Sequence, residues 1–153
     1  MSCSSPPTSS TVTTQAVKLV ADGPTTHLQR SAEKPLYNLE RIGEVVNPFD
    51  KQPIGVPSSG NLTVIGWAVD GASKNAAGGV DVLVDGQPYK ALAGQDRGDV
   101  ADYYKIPAYG KAGFNYTAPA SAFGRGKHSI VVRVISNDGK TYSEGLGLTI
   151  EVR

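Results

Sequence analysis

The chain has 153 residues and a single cysteine, Cys3, so it cannot close a disulfide within itself. With one cysteine and two distant histidines, His27 and His128, it also cannot complete a closed zinc shell. No run of about 18 apolar residues occurs, so no helix read from this sequence spans a bilayer. Neither sign of charge dominates: 15 Lys and Arg stand against 14 Asp and Glu, a net of +1. That balance gives no reason to expect nucleic acid or an anionic membrane surface as partner. Three catalytic signatures are missing: G-x-S-x-G, H-E-x-x-H and a glycine-rich phosphate loop. The sequence is therefore read as non-enzymatic and without a cofactor. Aromatics make up only 7% of the chain, and Trp67 is its one tryptophan.

Turn-forming residues are plentiful. Eighteen glycines and ten prolines point to many short strands joined by turns, hence to an all-β domain. Composition divides the chain. Residues 1–34 begin with a Ser/Thr/Pro-rich tract that cannot bury a core and are expected to be a flexible, disordered tether. Residues 35–153 are expected to form one domain. Gln15 to Ala21 reads either as a short strand or as more linker, and His27 as a solvated residue. Cys3 followed by Ser4, Ser5 and this polar tract resembles the mature start of a bacterial lipoprotein. That resemblance makes Cys3 a lipidation candidate and implies a membrane contact only through an N-terminal lipid anchor.

The segment from Asn61 to Tyr89 organises the rest. Ile65, Trp67 and Val69 alternate with Val64, Gly66 and Ala68, a period of two that predicts a half-buried strand. The heavier face is expected to be the buried one, with Trp67 as the anchor of the core. Val80, Val82 and Val84 share a face in the next strand, and Asp85-Gly86 predicts a tight hairpin turn. Leu36 to Val46 reads as a strand with a bulge, ended by Asn47-Pro48. Gly94 to Gly113 is the long irregular segment, with one helical turn expected over Asp99 to Tyr104. Phe114 and Tyr116 share a face, as do Ile130, Val132 and Val134. Asn137-Asp138-Gly139 is a turn, and Leu146, Leu148, Ile150 and Val152 alternate in the last strand. The sum is an immunoglobulin-like antiparallel β-sandwich of about seven strands.

Several short series carry a resemblance: G-W-A-V-D (66–70), V-D-V-L-V-D-G (80–86), D-R-G-D-V-A (96–101), G-F (113–114), G-K-H (126–128) and S-N-D-G-K-T-Y (136–142). Together they resemble a bacterial immunoglobulin-like module of membrane-anchored or secreted proteins, over about Leu36 to Arg153. The family pattern tends to have proline where Gly98 stands. The resemblance implies an extracytoplasmic sandwich, periplasmic or at the cell surface, used as a spacer or binding domain. His128 would be a structural feature of that pattern.

Four groups of residues are candidates for chemistry. Arg97-Gly98-Asp99 spells an integrin-binding tripeptide, but a charge-assisted pair from Arg97 to Asp99 or Asp102 explains the same residues as a loop staple. Asp96, Asp99 and Asp102 recur every third residue and would share a helical face able to offer oxygens to Ca²⁺. Adjacent Arg97 and Lys105 favour paired or solvated carboxylates instead, and no metal site is expected. Tyr89, Tyr103, Tyr104 and Tyr109 fall around the long loop. Rings beside carboxylates such as Asp99 and Asp102 are what a sugar-binding surface uses. A serine–histidine pair has nothing in its favour. The leading expectation is a monomeric, non-enzymatic structural or interaction module, with a protein or a cell-envelope glycan as partner. The competing one is a carbohydrate-binding module working through Tyr103, Tyr104 and Tyr109.

Overall fold

The computed structural model describes residues 28–153. Residues 1–27 of the expected tether, with the lipidation candidate Cys3, the segment Gln15 to Ala21 and His27, lie outside the described residues. Within them the fold is all-β, with two mostly antiparallel sheets. No helix among the described residues is long and apolar enough to cross a membrane.

The segments in chain order are β1 (Gln29–Arg30), β2 (Leu36–Ile42), β3 (Val45–Val46), β4 (Ile54–Val56), β5 (Asn61–Asp70), β6 (Asn75–Ala76), β7 (Gly79–Val84), β8 (Gln87–Lys90), β9 (Leu92–Gln95), β10 (Gly113–Pro119), β11 (Gly126–Ile135), β12 (Thr141–Glu144) and β13 (Leu148–Val152). One helix, α1 (Gly98–Tyr104), precedes a 3-10 turn over Pro107–Lys111. One sheet runs β3-β2-β5-β10-β9, with β6 also paired to β5. In the other, β11 pairs with β7 along one edge and β7 with β8. The opposite edge of β11 takes β13 at its start and β12 at its end. Two parallel additions complete it, β4 on β13 and β1 on β12.

The strand count exceeds the expected seven, for identifiable reasons. Three of the thirteen segments, β1, β3 and β6, are two-residue pairings at sheet edges. β12 and β13 follow one edge of β11 and are separated by Gly145, Leu146 and Gly147, where one extra residue bulges from the ladder while the Gly145 N–H still donates to Val132 O. Leu146 is 75% exposed there, so the expected alternation starts only at Leu148. The stretch read as one strand over 36–46 turns back at Gly43, whose φ is 58°, so that β3 pairs with β2. The bulge expected in that strand falls between Leu39 and Arg41. The ordered sheet also reaches back to Gln29, ahead of the expected domain start at 35.

The two sheets bury their facing sides against each other. Val80, Val82 and Val84 meet Ile130, Val132, Val134, Leu148, Ile150 and Val152 from one sheet, and Leu62, Val64, Ala68, Phe114, Tyr116 and Ala118 from the other. Each fully buried Val, Leu, Ile or Phe side chain contributes about 1.5–3 kcal/mol over exposure. Asp85-Gly86 makes the expected hairpin, with φ of 52° and 84°.

One expectation is reversed. Trp67 does not anchor the core between the sheets. The inward face of β5 is Leu62, Val64, Gly66 and Ala68, while Ile65 and Trp67 are only half-buried on the outward side. Both faces of β5 are apolar, so period two alone does not say which one meets the other sheet. The lighter face does. An added Cβ on Gly66 would lie 2.1 Å from the Asn38 carbonyl oxygen, on the neighbouring strand β2 just before its bulge. Gly66→Ala is therefore expected to lower stability by about 3 kcal/mol, since overpacking here must displace backbone. Urea unfolding checks this, and a loss under about 0.5 kcal/mol, the range of a surface substitution, would contradict it.

Candidate functional site

The outward side of β5 is covered by the segment between β9 and β10. Val69, Val100, Tyr109 and Ala112 form a second, smaller buried cluster there, with Leu36, Trp67, Ala101, Tyr104 and Ile106 packed against it. Helix α1 forms where one helical turn is expected, with Asp99 in its first turn, where a carboxylate suits the helix dipole. It stops at Lys105, which takes the left-handed conformation with φ 58°, and Pro107 opens the following 3-10 turn. The Arg97 backbone N–H donates to Gly110 O at 2.7 Å and closes the segment on itself.

Arg97 is the clamp of this cover. Its Nε donates to Asp99 Oδ1 at 2.9 Å and its Nη2 to Asp99 Oδ2 at 2.8 Å. Nη1 and Nη2 also donate to the two oxygens of Glu40, at 2.7 and 2.9 Å. The expected pair with Asp99 is present, and Arg97 is fastened as well to the middle of β2. The hydrogen bonds to Asp99 and Glu40 hold the guanidinium well above its ordinary value. Those from Arg97 draw the Asp99 carboxyl down to about 2. With its side chain only 21% exposed and spent on two carboxylates, Arg97 belongs to the fold and not to an open Arg-Gly-Asp motif.

The remaining candidates separate. Asp96 pairs with Lys111 across the segment. Asp102 lies on a different hollow, with Gly98, Ala101, Lys105 and Pro107. Among the described residues no group of three or more His, Cys, Asp or Glu is placed to hold a metal ion, so the three aspartates do not form a shared oxygen cage. Tyr109 is 2% exposed and fills the small cluster, which corrects its reading as a ligand contact. Tyr89 sits elsewhere, its ring centroid 5.6 Å from that of Phe123 and 6.0 Å from that of Tyr116.

Tyr103 and Tyr104 do come together with Trp67. Tyr104 meets Tyr103 edge to face at 4.9 Å, Tyr109 at 5.6 Å and Trp67 at 5.8 Å. Tyr103, at the outer end, is 79% exposed. Beside the row opens a groove of about 550 Å³ lined by Leu36, Asn38, Glu40, Asp99 and the rings. Sequence reasoning missed Glu40 and Asn38. Neither has a neighbour in sequence that signals a role, and only the β2–β5 register brings Asn38 opposite Trp67.

Two further polar features lie apart from the groove. His128 has Nδ1 at 2.6 Å from Asp85 Oδ2 and Nε2 at 2.8 Å from Gly124 O. Both partners accept, so the imidazolium, which donates from both nitrogens, fits best. The hydrogen bond to Asp85 is the largest influence raising the His128 pKa above 6.5; burial opposes it and the Gly124 carbonyl assists. For Asp85, burial acts upward, but the bonds from His128 and from the Ser129 N–H outweigh it and hold the carboxyl low. Asp81, on β7, is 1% exposed, with Oδ2 lacking a hydrogen-bond partner among the described residues. Burial lifts its pKa to about 6 against the pull of Arg133 and Lys90.

No family model matches the chain, and no curated protein does. Among solved structures the chain is similar to the endo-β-1,4-mannanase from Thermotoga petrophila, at 10% identity and a TM-score of 0.48. The match covers 80% of this chain and spans only 20% of that enzyme's chain.

Arg97→Ala is expected to lower stability by about 1.5–3 kcal/mol. Most of that loss falls on the part-buried bond to Glu40, because Asp99 is largely exposed and screened. Chemical denaturation measures it, and an unchanged midpoint would remove the clamp from the account. His128 gives a pH signature. Its folded pKa is raised, so its contribution is complete below the unfolded value of 6.5 and is lost as pH rises through the folded value. The lowered pKa of Asp85 keeps its side of the pair intact until strong acid. His128→Gln is thus expected to cost about 0.5–1 kcal/mol more at pH 5.5 than at pH 9, a small figure because Asp85 is half exposed. Equal costs at the two pH values would show that the pair with Asp85 does not raise the His128 pKa on folding.

Proposed function

We propose that the chain is a non-enzymatic, extracytoplasmic structural and interaction module of immunoglobulin-like topology, tethered to a membrane through a lipid on Cys3. Strand order supports the topology. In the lettering of that fold, β2-β5-β10-β9 reads A-B-E-D and β13-β11-β7-β8 reads G-F-C-C′. The observation that carries the structural role is the closed cover over β5. Its one arginine clamp is satisfied by the chain's own carboxylates, and its apolar residues fill a small core. A segment built this way resists deformation, and its Arg97 is spent on the chain's own carboxylates. The polar tract after Cys3 supports the tether.

Metabolic labelling of producing cells with an alkyne fatty acid tests the tether and the location together. The expected result is a labelled protein in the membrane fraction, with label abolished by Cys3→Ser. An unlabelled protein recovered with the cytosol would overturn both.

A further inference from the structure

We propose that the groove lined by Trp67, Tyr103, Tyr104, Asn38, Glu40 and Asp99 binds a neutral oligosaccharide. The inference rests on the interaction role above and names its partner. At about 550 Å³ the groove lies within the usual span of small-ligand sites, about 300–1,000 Å³. Its chemistry is specific in three respects.

The first is the aromatic row. Tyr103 is held by Tyr104, and Tyr104 by Trp67 and Tyr109, each edge to face, so the exposed ring is backed by a half-buried one. Tyr103 remains 79% exposed despite this support. A propped, solvent-facing ring offers the rigid apolar surface onto which the C–H face of a pyranose stacks at little entropic cost. The second is the accepting power of the two carboxylates in the lining. Each oxygen of Glu40 and Asp99 takes one hydrogen bond from Arg97, which leaves a lone pair on every one of them for a sugar hydroxyl. The Asn38 amide, exposed and opposite Trp67 in register, adds donors and an acceptor.

The third is charge. Arg97 is the only cation in the lining, and four of its five N–H groups are already committed. Two carboxylates against one spent guanidinium make the groove mildly negative, so it repels uronates, sulfated sugars and phosphates. A hydroxyl-rich neutral ring with an apolar face satisfies rings, carboxylates and amide together. The bidentate clamp also fixes both carboxylates before a ligand arrives, so they need no ordering on binding.

Affinity gel electrophoresis of the whole protein in hydroxyethyl cellulose, xylan, dextran and polygalacturonate tests the proposal. The expected result is retardation by at least one neutral polymer and none by polygalacturonate. Tyr103→Ala should weaken the retardation by about tenfold while leaving the thermal midpoint unchanged. Trp67→Phe, which keeps an apolar ring in the small core, should weaken it as well. No retardation by any neutral polymer, retardation by polygalacturonate alone, or full retention of binding in Tyr103→Ala would each overturn the proposal. Such a failure would leave the Cys3 labelling result, and with it the tethered-module reading, standing on its own.

Discussion

Covering the outward apolar side of β5, with Val69 and the half-buried Trp67, is the constraint on which the outer half of the molecule depends. β5 presents Leu62, Val64, Gly66 and Ala68 to the other sheet, and the backbone of the paired strand β2 at Gly66 leaves no room there for a larger side chain. The indole must therefore be covered from outside. α1, the 3-10 turn after it and the residue that caps that turn meet that need with Val100, Tyr109 and Ala112, and Arg97 fastens their start to β2. The same arrangement places Tyr103 at the rim. Core, clamp and groove are thus three consequences of one strand having two apolar faces.

Polarity is distributed to match. Arg97 shares four hydrogen bonds with two carboxylates at the boundary of the cover, where partial exposure keeps their desolvation cost small. Asp81 is the opposite case, a carboxyl buried within a ladder with Arg133 and Lys90 on the paired strands. It is held by strand register, not by a satisfied network, and its affinity for a proton reflects that.

Much of the sandwich was legible in the sequence because its signals are local. Period two marked β5, β7 and β11, and Asp85-Gly86 and Asn137-Asp138-Gly139 marked turns that have the required positive φ at Asp85, Gly86 and Gly139. The pair from Arg97 to Asp99 spans two residues and was equally visible. What escaped depends on distance along the chain. Glu40 lies 57 residues from Arg97, and Asn38 meets Trp67 only through register. The weight of a face says that it needs covering but not by what, which is why Trp67 was expected between the sheets. Four nearby tyrosines likewise looked equivalent in sequence, yet one is buried, one half-buried, one exposed and one at a different place.

The two parallel pairings carry a mechanical consequence. β4 runs alongside β13, which ends one residue short of Arg153, and β1 runs alongside β12 in the same sense. A pull applied at the start of the domain and at Arg153 drags these neighbours past each other lengthwise. Their hydrogen bonds are then loaded together in shear instead of being peeled open singly from one end. The parallel pairings of β1 with β12 and of β4 with β13 therefore resist a lengthwise pull better than an antiparallel pair opened from one end.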